Sequence, residues 1–192
     1  SSLPVFTAND ILSGKAVAGK NVVVIGGAAV GCETADYLAY EAALSPEKIY
    51  FMLAQRSEAT EKVLELLDKT RRSVTIVDIA KIGTGFEQGT AWPLMKELNR
   101  FGVKQYSFAK ILEVTDNSVE IEAAEPKTRE QKAKERETGV IEPEKLLHIS
   151  LPCDTIVIAA GAKPNDELYE TLKPDIPEIY NIGDSAHIGN IS

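Results

Sequence analysis

Residues Asn21 to Glu33 read NVVVIGGAAVGCE: four successive apolar residues run into a glycine-rich turn and then into a helical pattern. This order predicts a buried strand, a tight turn and the first helix of a dinucleotide-binding unit. At such a turn the free N–H groups of the helix N-terminus point at an anion, and the helix dipole adds to the attraction. A nucleotide pyrophosphate is the expected guest. The fingerprint GxGxxG uses its first glycine for the turn, its second for close approach of the diphosphate and its third for helix packing. Gly26 and Gly31 take the first and third places, but the middle one is Ala28, preceded by Gly27. A methyl group there is expected to crowd the diphosphate. The positions expected to line the nucleotide are Gly26, Gly27, Ala28, Val30 and Gly31. Glu33 has two readings: it faces a nicotinamide, or it is an acid favoured near the helix N-terminus by the dipole.

A dinucleotide fold also calls for a carboxylate at the end of its second strand, about 20 residues beyond the glycines, to accept the adenosine ribose hydroxyls. The β-branched run Ser73 to Ile79 (SVTIVDI) is that strand, and Asp78 is its acid. Asp78 lies 52 positions after Gly26, but removing residues 41–72, which number 32, leaves 20. Those residues carry a helix start at Ser45-Pro46-Glu47, an apolar stripe at Ile49, Met52 and Leu53, and another at Val63, Leu64 and Leu67. They are expected to form an inserted helical hairpin that packs on the surface, in preference to a separate binding site. An acid at Asp78 repels a 2′-phosphate, so NADH is expected over NADPH, with Lys81 moderating the preference. The alternative for Asp78 is a strand-end acid that caps a neighbouring turn.

Elsewhere, Asn9 to Leu12 suggests a short helix within a leading segment, residues 1–20. Thr90 to Phe101 is expected as a helix with Trp92, Leu94, Met95 and Leu98 toward the core, and Val103 to Ser107 as a third strand. Short strands then follow at Ile111–Val114, Val119–Ala123 and Leu147–Leu151, a switch that predicts a small antiparallel meander. Residues 124–146 are dense in both charges and form an expected solvated loop, with Glu130 and Lys134 at helical pairing distance. Thr155 to Ala159 is another buried strand, and Glu178 to Asp184 (EIYNIGD) a last short one. The expected architecture is α/β: a Rossmann-like parallel sheet with helices on both faces, a small antiparallel β-meander and the inserted helical hairpin.

Charge and composition narrow the chemistry. With 21 basic and 29 acidic residues the formal charge is -8, which disfavours nucleic acid. The longest apolar run is too short for a membrane helix, and no signal peptide pattern opens the sequence, so a cytoplasmic location is the default expectation. Cys32 and Cys153 are too few and too far apart for a disulfide framework, a CxxC pair or a zinc site, and are expected as small core residues. His148 and His187 show no cysteine or carboxylate partner in sequence, which disfavours a catalytic triad or a metal role.

The runs VVVIGGAAVGCETADYLA, VTIVDIAKIGTG, WPLMKELNRFGVK, CDTIVIAAGAKPNDELYE and IYNIGDSAHIGNI together resemble the C-terminal half of the flavin and iron–sulfur 2-enoate reductases. They are also similar to the related 2,4-dienoyl-CoA reductases and NADH:flavin oxidoreductases of the old yellow enzyme group. The hairpin LSPEKIYFMLAQ resembles the enoate reductase one. The resemblance implies an NAD(H) domain, residues 21–160, set into an FAD domain. Residues 1–20 would be the crossover from that FAD domain and residues 161–192 its partial return. It implies electron flow from NADH through FAD and a 4Fe-4S cluster to FMN in an N-terminal barrel, where an activated C=C bond is reduced. Ala159-Ala160-Gly161 matches the crossover between the nucleotide domains, with alanine where threonine is usual, and Gly183-Asp184 matches a motif whose aspartate binds the flavin ribityl chain. The FAD site here is expected to be partial and FMN and the cluster to lie in the missing part, so the isolated chain is expected to be inactive. Its partners are then NAD(H) and the barrel and FAD-domain portions of the parent enzyme. Two rivals stand beside this: a flavoprotein disulfide reductase-like domain, which needs a redox cysteine pair, and a non-catalytic nucleotide-sensing or assembly module.

Overall fold

The computed structural model describes residues 2–86, 91–124, 145–161 and 163–188, so most of the charged loop, including Glu130 and Lys134, lies outside the described residues. The chain divides into two compact units, Ser1–Ala160 and Gly161–Ser192. In the first, strand β1 (Val5–Thr7) leads into helix α1 (Ala8–Leu12), and β2 (Asn21–Ile25) into α2 (Ala29–Glu41). Helices α3 (Pro46–Ala54) and α4 (Thr60–Leu67) precede β3 (Ser73–Val77), then α5 (Ala91–Arg100) and β4 (Lys104–Tyr106). The meander is β5 (Lys110–Val114), β6 (Ser118–Ala124) and β7 (Leu146–Pro152), after which β8 (Thr155–Ile158) returns to the main sheet.

Five parallel strands form that sheet in the order β1-β8-β2-β3-β4, and the meander is a separate antiparallel sheet, β5-β6-β7. The apolar runs are continuous because both faces of the sheet are covered. Val22, Val24, Val74, Ile76 and Val157 turn toward α1, α2 and α5, meeting Ile11, Ala35, Leu38 and Leu98. Val23, Val77 and Ile156 turn the other way, onto Val119, Ile121 and Leu151 of the meander. The second face, where a further helical layer is expected from sequence, is therefore closed by the antiparallel sheet. Alternation along β6 makes this work: Val119, Ile121 and Ala123 are buried in one row, and a row of that kind needs a flat apolar partner.

Three local expectations are corrected. Trp92 is 66% exposed because it lies about 200° around the helix from Leu94, off the stripe of Leu94, Met95 and Leu98. Ile79 lies beyond the end of β3 and is 81% exposed. Glu178 to Asp184 forms no strand; Gly183–Ser185 is a 3-10 turn, fastened by the Ser185 hydroxyl donating to Asn181 Oδ1 at 2.6 Å. Among the described residues the second unit has only this turn and helix α6 (Glu167–Leu172), with no strand to pair with.

The start of β2 is held by one carboxylate. Asp154 accepts from the N–H groups of Lys20 and Asn21, both at 2.9 Å, and from the Thr155 hydroxyl at 3.0 Å. A Cβ on Gly19 would stand 2.1 Å from Asp154 Oδ1, so the approach requires glycine. Burial pulls the Asp154 carboxyl upward, but the bonds from Asn21, Thr155 and Lys20 outweigh it and hold the group below the usual carboxylate range. A depressed acid contributes its stability above its unfolded-state value, about 4, and loses it as pH falls through the folded-state value. Asp154→Asn is therefore expected to cost about 1–3 kcal/mol at pH 7, with the difference from wild type shrinking as pH falls below about 4 in urea unfolding series.

Candidate functional site

β2 lies between β3 and β8, and the chain proceeds from β2 to β3 on one side and returns to β8 on the other. In open parallel sheets the crevice beyond the carboxyl ends of such strands is where ligands bind. The glycine turn sits at that point. Gly26 donates to the Val77 carbonyl at 2.9 Å, and the Ala159 N–H donates to the Ile25 carbonyl at 2.8 Å, so the turn is flanked by the ends of both neighbouring strands.

Each glycine has a separate reason. Gly26 has φ +109, and a Cβ there would meet the Ala159 carbonyl oxygen at 2.6 Å and the Ala160 nitrogen at 2.9 Å. A Cβ on Gly27 would meet Ile82 Cγ1 at 2.6 Å, and one on Gly31 the Gly26 carbonyl oxygen at 1.9 Å. Ala28 is the N-cap of α2, exposed, with φ -73 and ψ -173, an ordinary extended conformation that asks nothing of glycine. The backbone of the turn thus forms with alanine in the middle place. The N–H groups of Ala29, Val30 and Gly31 donate to no other described residue, while Cys32 N–H begins the helical ladder by bonding the Ala28 carbonyl at 3.0 Å. A cradle of unused amides at a helix N-terminus fits the phosphates of a nucleotide.

Asp78 closes the cradle. Its Oδ2 accepts from the Gly27 N–H at 2.5 Å and its Oδ1 from the Ala80 N–H at 2.7 Å. A carboxylate has about four lone-pair sites, so two remain for hydroxyl donors. The ribose acceptor and the turn cap, alternatives on sequence grounds, are here compatible roles of one side chain. Gly83, at φ +84, donates to the Gly27 carbonyl at 2.7 Å, clamping the turn from the other side.

Nothing in the sequence pattern singles out Phe108. It adopts φ +56, unusual for a bulky residue, and is 65% exposed. Its N–H donates to the Ala80 carbonyl at 3.1 Å and that of Ala109 to the Asp78 carbonyl at 2.8 Å, so it stands beside the acid. Glu33 lies in the second turn of α2 and lines an open groove of about 440 Å³ with Asp36, Phe86, Pro93, Leu94 and Glu97. Burial there, with repulsion from Glu97, holds the Asp36 carboxyl above its ordinary range.

Ala160, exposed after β8, stands beside the turn, its nitrogen 2.9 Å from where a Cβ on Gly26 would lie. The remaining candidates lie elsewhere. In the second unit, Gly161 and Gly183 have φ +72 and +67, and Gly183 and Asp184 open the 3-10 turn, where His187 N–H bonds the Gly183 carbonyl at 2.9 Å. His148 is on β7 with Nδ1 4.0 Å from Glu120. Cys32 and Cys153 are buried core residues, as expected, in the clusters on opposite faces of the sheet. Burial pushes the Cys32 thiol up to about 11 and the Cys153 thiol upward too, and the sheet stands between the two.

Residues 3–191 match the family described as pyridine nucleotide-disulphide oxidoreductase. The chain belongs to that family. It is an oxidoreductase domain of the type that binds FAD and a pyridine nucleotide. Two curated relatives are a metal reductase of Desulforamulus reducens, 29% identical over 94% of this chain, and a bilirubin reductase of Mediterraneibacter gnavus, 29% identical over 96%. The chain spans only 24% and 21% of their lengths. A structure of 2-naphthoyl-CoA reductase with 2-naphthoyl-CoA superimposes with a TM-score of 0.65 at 23% identity, over 97% of this chain and 21% of that one. Histamine dehydrogenase from Rhizobium sp. 4-9 gives 0.59 at 17% identity, over 98% and 23%. At these identities the two structures establish the fold alone. Among the described residues no helix is long and apolar enough to cross a membrane.

The geometry of the turn has a direct consequence for stability. Gly31→Ala drives a methyl group into a backbone carbonyl and is expected to cost about 1–3 kcal/mol or more in urea unfolding, whereas Ala28→Gly is expected to change stability by less than about 1 kcal/mol.

Proposed function

We propose that this chain is the NADH-binding domain of a longer flavin-dependent oxidoreductase that reduces activated C=C bonds of enoates or enoyl-CoA compounds. The observation that carries the nucleotide assignment is the short bond from Gly27 N–H to Asp78. It joins the phosphate turn to an acid that sequence spacing reaches only when the hairpin is taken out. In this reading the amides of Ala29, Val30 and Gly31 hold the pyrophosphate, with Gly26 and Gly27 allowing its approach. Asp78 accepts the adenosine ribose hydroxyls and disfavours a 2′-phosphate. Glu33 is proposed to stand toward the nicotinamide end.

NADH supplies the hydride when bound, and the protein supplies placement toward FAD. Ala160 and Gly161 are assigned to the crossover between the nucleotide domains, and Gly183 and Asp184 to a partial FAD site that the parent enzyme completes, with FMN and a 4Fe-4S cluster in its remaining part and a cytoplasmic setting for the whole. Support comes from the two curated reductases and their much greater length, and from the resemblance of the sequence motifs to the enoate reductases. An assembly module is the second reading, favoured by the uncovered apolar residues of α3. A stable dimer with no nucleotide affinity would support it.

Titration with NADH and NADPH, followed by nucleotide fluorescence, distinguishes these. NADH is expected to bind below millimolar and ahead of NADPH, and Asp78→Asn to weaken NADH by about tenfold, the loss of one charge-assisted bond. Absence of binding below millimolar, or a preference for NADPH, refutes the assignment.

A further inference from the structure

Helix α3 carries Ile49, Tyr50, Phe51, Met52 and Leu53, yet it buries none of its residues. Tyr50 is 74% exposed, Phe51 60% and Leu53 45%, and Leu64 on α4 is 57% exposed. Contiguous exposed apolar surface marks interaction sites, and large aromatic side chains are enriched at their centres.

The hairpin is held at its neck. Ala43 and Thr70 form an antiparallel bridge, and Arg71 N–H donates to the Ala42 carbonyl at 3.1 Å. The Arg72 guanidinium, 11% exposed, pairs with Glu41 at 2.8 Å while donating to the carbonyls of Gly19, Leu38 and Ala18. A surface tied down in this way loses little freedom on docking. At the foot of the hairpin lies an open bay of about 540 Å³ lined by Lys20, Lys69, Arg71, Arg72 and Arg100 against Asp68. The side chains of Lys20 and Arg71 make no hydrogen bond or ion pair with another described residue, and Lys69 acts only through its charge on Glu65, so positive charge is concentrated here in a chain of net charge -8.

We propose that the exposed face of α3, with the basic bay at its foot, docks against the remainder of the longer polypeptide, on an apolar patch rimmed by carboxylates. This rests on the reading of the chain as one domain of such a polypeptide. Two observations select that occupant over a second copy. The chain spans 24% and 21% of its curated relatives, so in a polypeptide of that length a far larger surface is tethered to this domain at high effective concentration. Two copies, each at -8, repel one another. The hairpin also leaves from the end of α2 and returns at the start of β3, the edge of the sheet opposite the glycine turn, so a permanent neighbour there leaves the nucleotide crevice open.

Hydrogen exchange of the isolated chain and of the full polypeptide encoded by its gene tests this. The amides of residues 46–54 are expected to exchange about tenfold or more slowly in the full polypeptide. Phe51→Asp, and independently Arg71→Glu, are expected to restore fast exchange there without changing NADH affinity. Equal exchange in the two proteins overturns the proposal. So does slowed exchange in the isolated chain accompanied by a dimer in light scattering, which makes a second copy the occupant. A gene that encodes no longer polypeptide refutes the underlying domain reading as well, whereas a longer polypeptide with a freely exchanging hairpin refutes the docking alone.

Discussion

The carboxylate of Asp78 is the constraint on which the carboxyl edge of the sheet depends. By accepting the Gly27 and Ala80 amides it fixes the glycine turn to the loop after β3, and the Gly83 amide fixes the same turn through the Gly27 carbonyl. With Gly27 held at both ends, α2 starts where its first amides face outward and unpaired. Their partial positive charge and the negative charge of Asp78 then lie side by side. In the proposed nucleotide reading, that pairing suits an anionic centre flanked by hydroxyls and penalises a second phosphate beside the acid.

The same edge explains why the third glycine matters more than the second. Gly31 lies against the Gly26 carbonyl, inside the protein, where no adjustment of a ligand relieves a clash. Ala28 faces solvent, so its methyl group concerns only whatever approaches the turn. A fingerprint read as equally weighted glycines merges two different requirements, one on folding and one on recognition. The structure separates them by burial.

What the sequence disclosed follows the same division between local and long-range causes. The helix start at Ser45-Pro46 was readable because its determinants are local: the serine side chain accepts the Lys48 amide at 3.4 Å with proline in the first turn. The buried parallel strands were readable because covering both faces leaves an unbroken apolar run. Val5–Thr7 was not, since a strand of three residues at the sheet edge has no pattern to show. EIYNIGD has the composition of a strand, but pairing requires a neighbour that composition does not reveal. The meander itself was readable, but not that it covers the second face of the parallel sheet, because the alternation of β6 says that one side is buried, not what it is buried against. Phe108 was invisible because its left-handed backbone is imposed by bonds to residues some thirty positions earlier.

The hairpin shows how spacing in sequence and spacing in the fold can disagree without altering the site. Its ends are brought together by the Ala43–Thr70 bridge, and Arg72 then binds three carbonyls from the start of β2 and the end of α2. The insertion therefore leaves the β2–β3 register intact from Asn21–Ser73 through Ile25–Val77, and Asp78 arrives beside Gly27 as though the hairpin were absent. An insertion tolerated on those terms is free to acquire its own surface, since its neck transmits no displacement along the strands it separates. Opposite ends of one parallel sheet can in this way serve different ends: amides and one acid where the strands finish, apolar and basic surface where they begin.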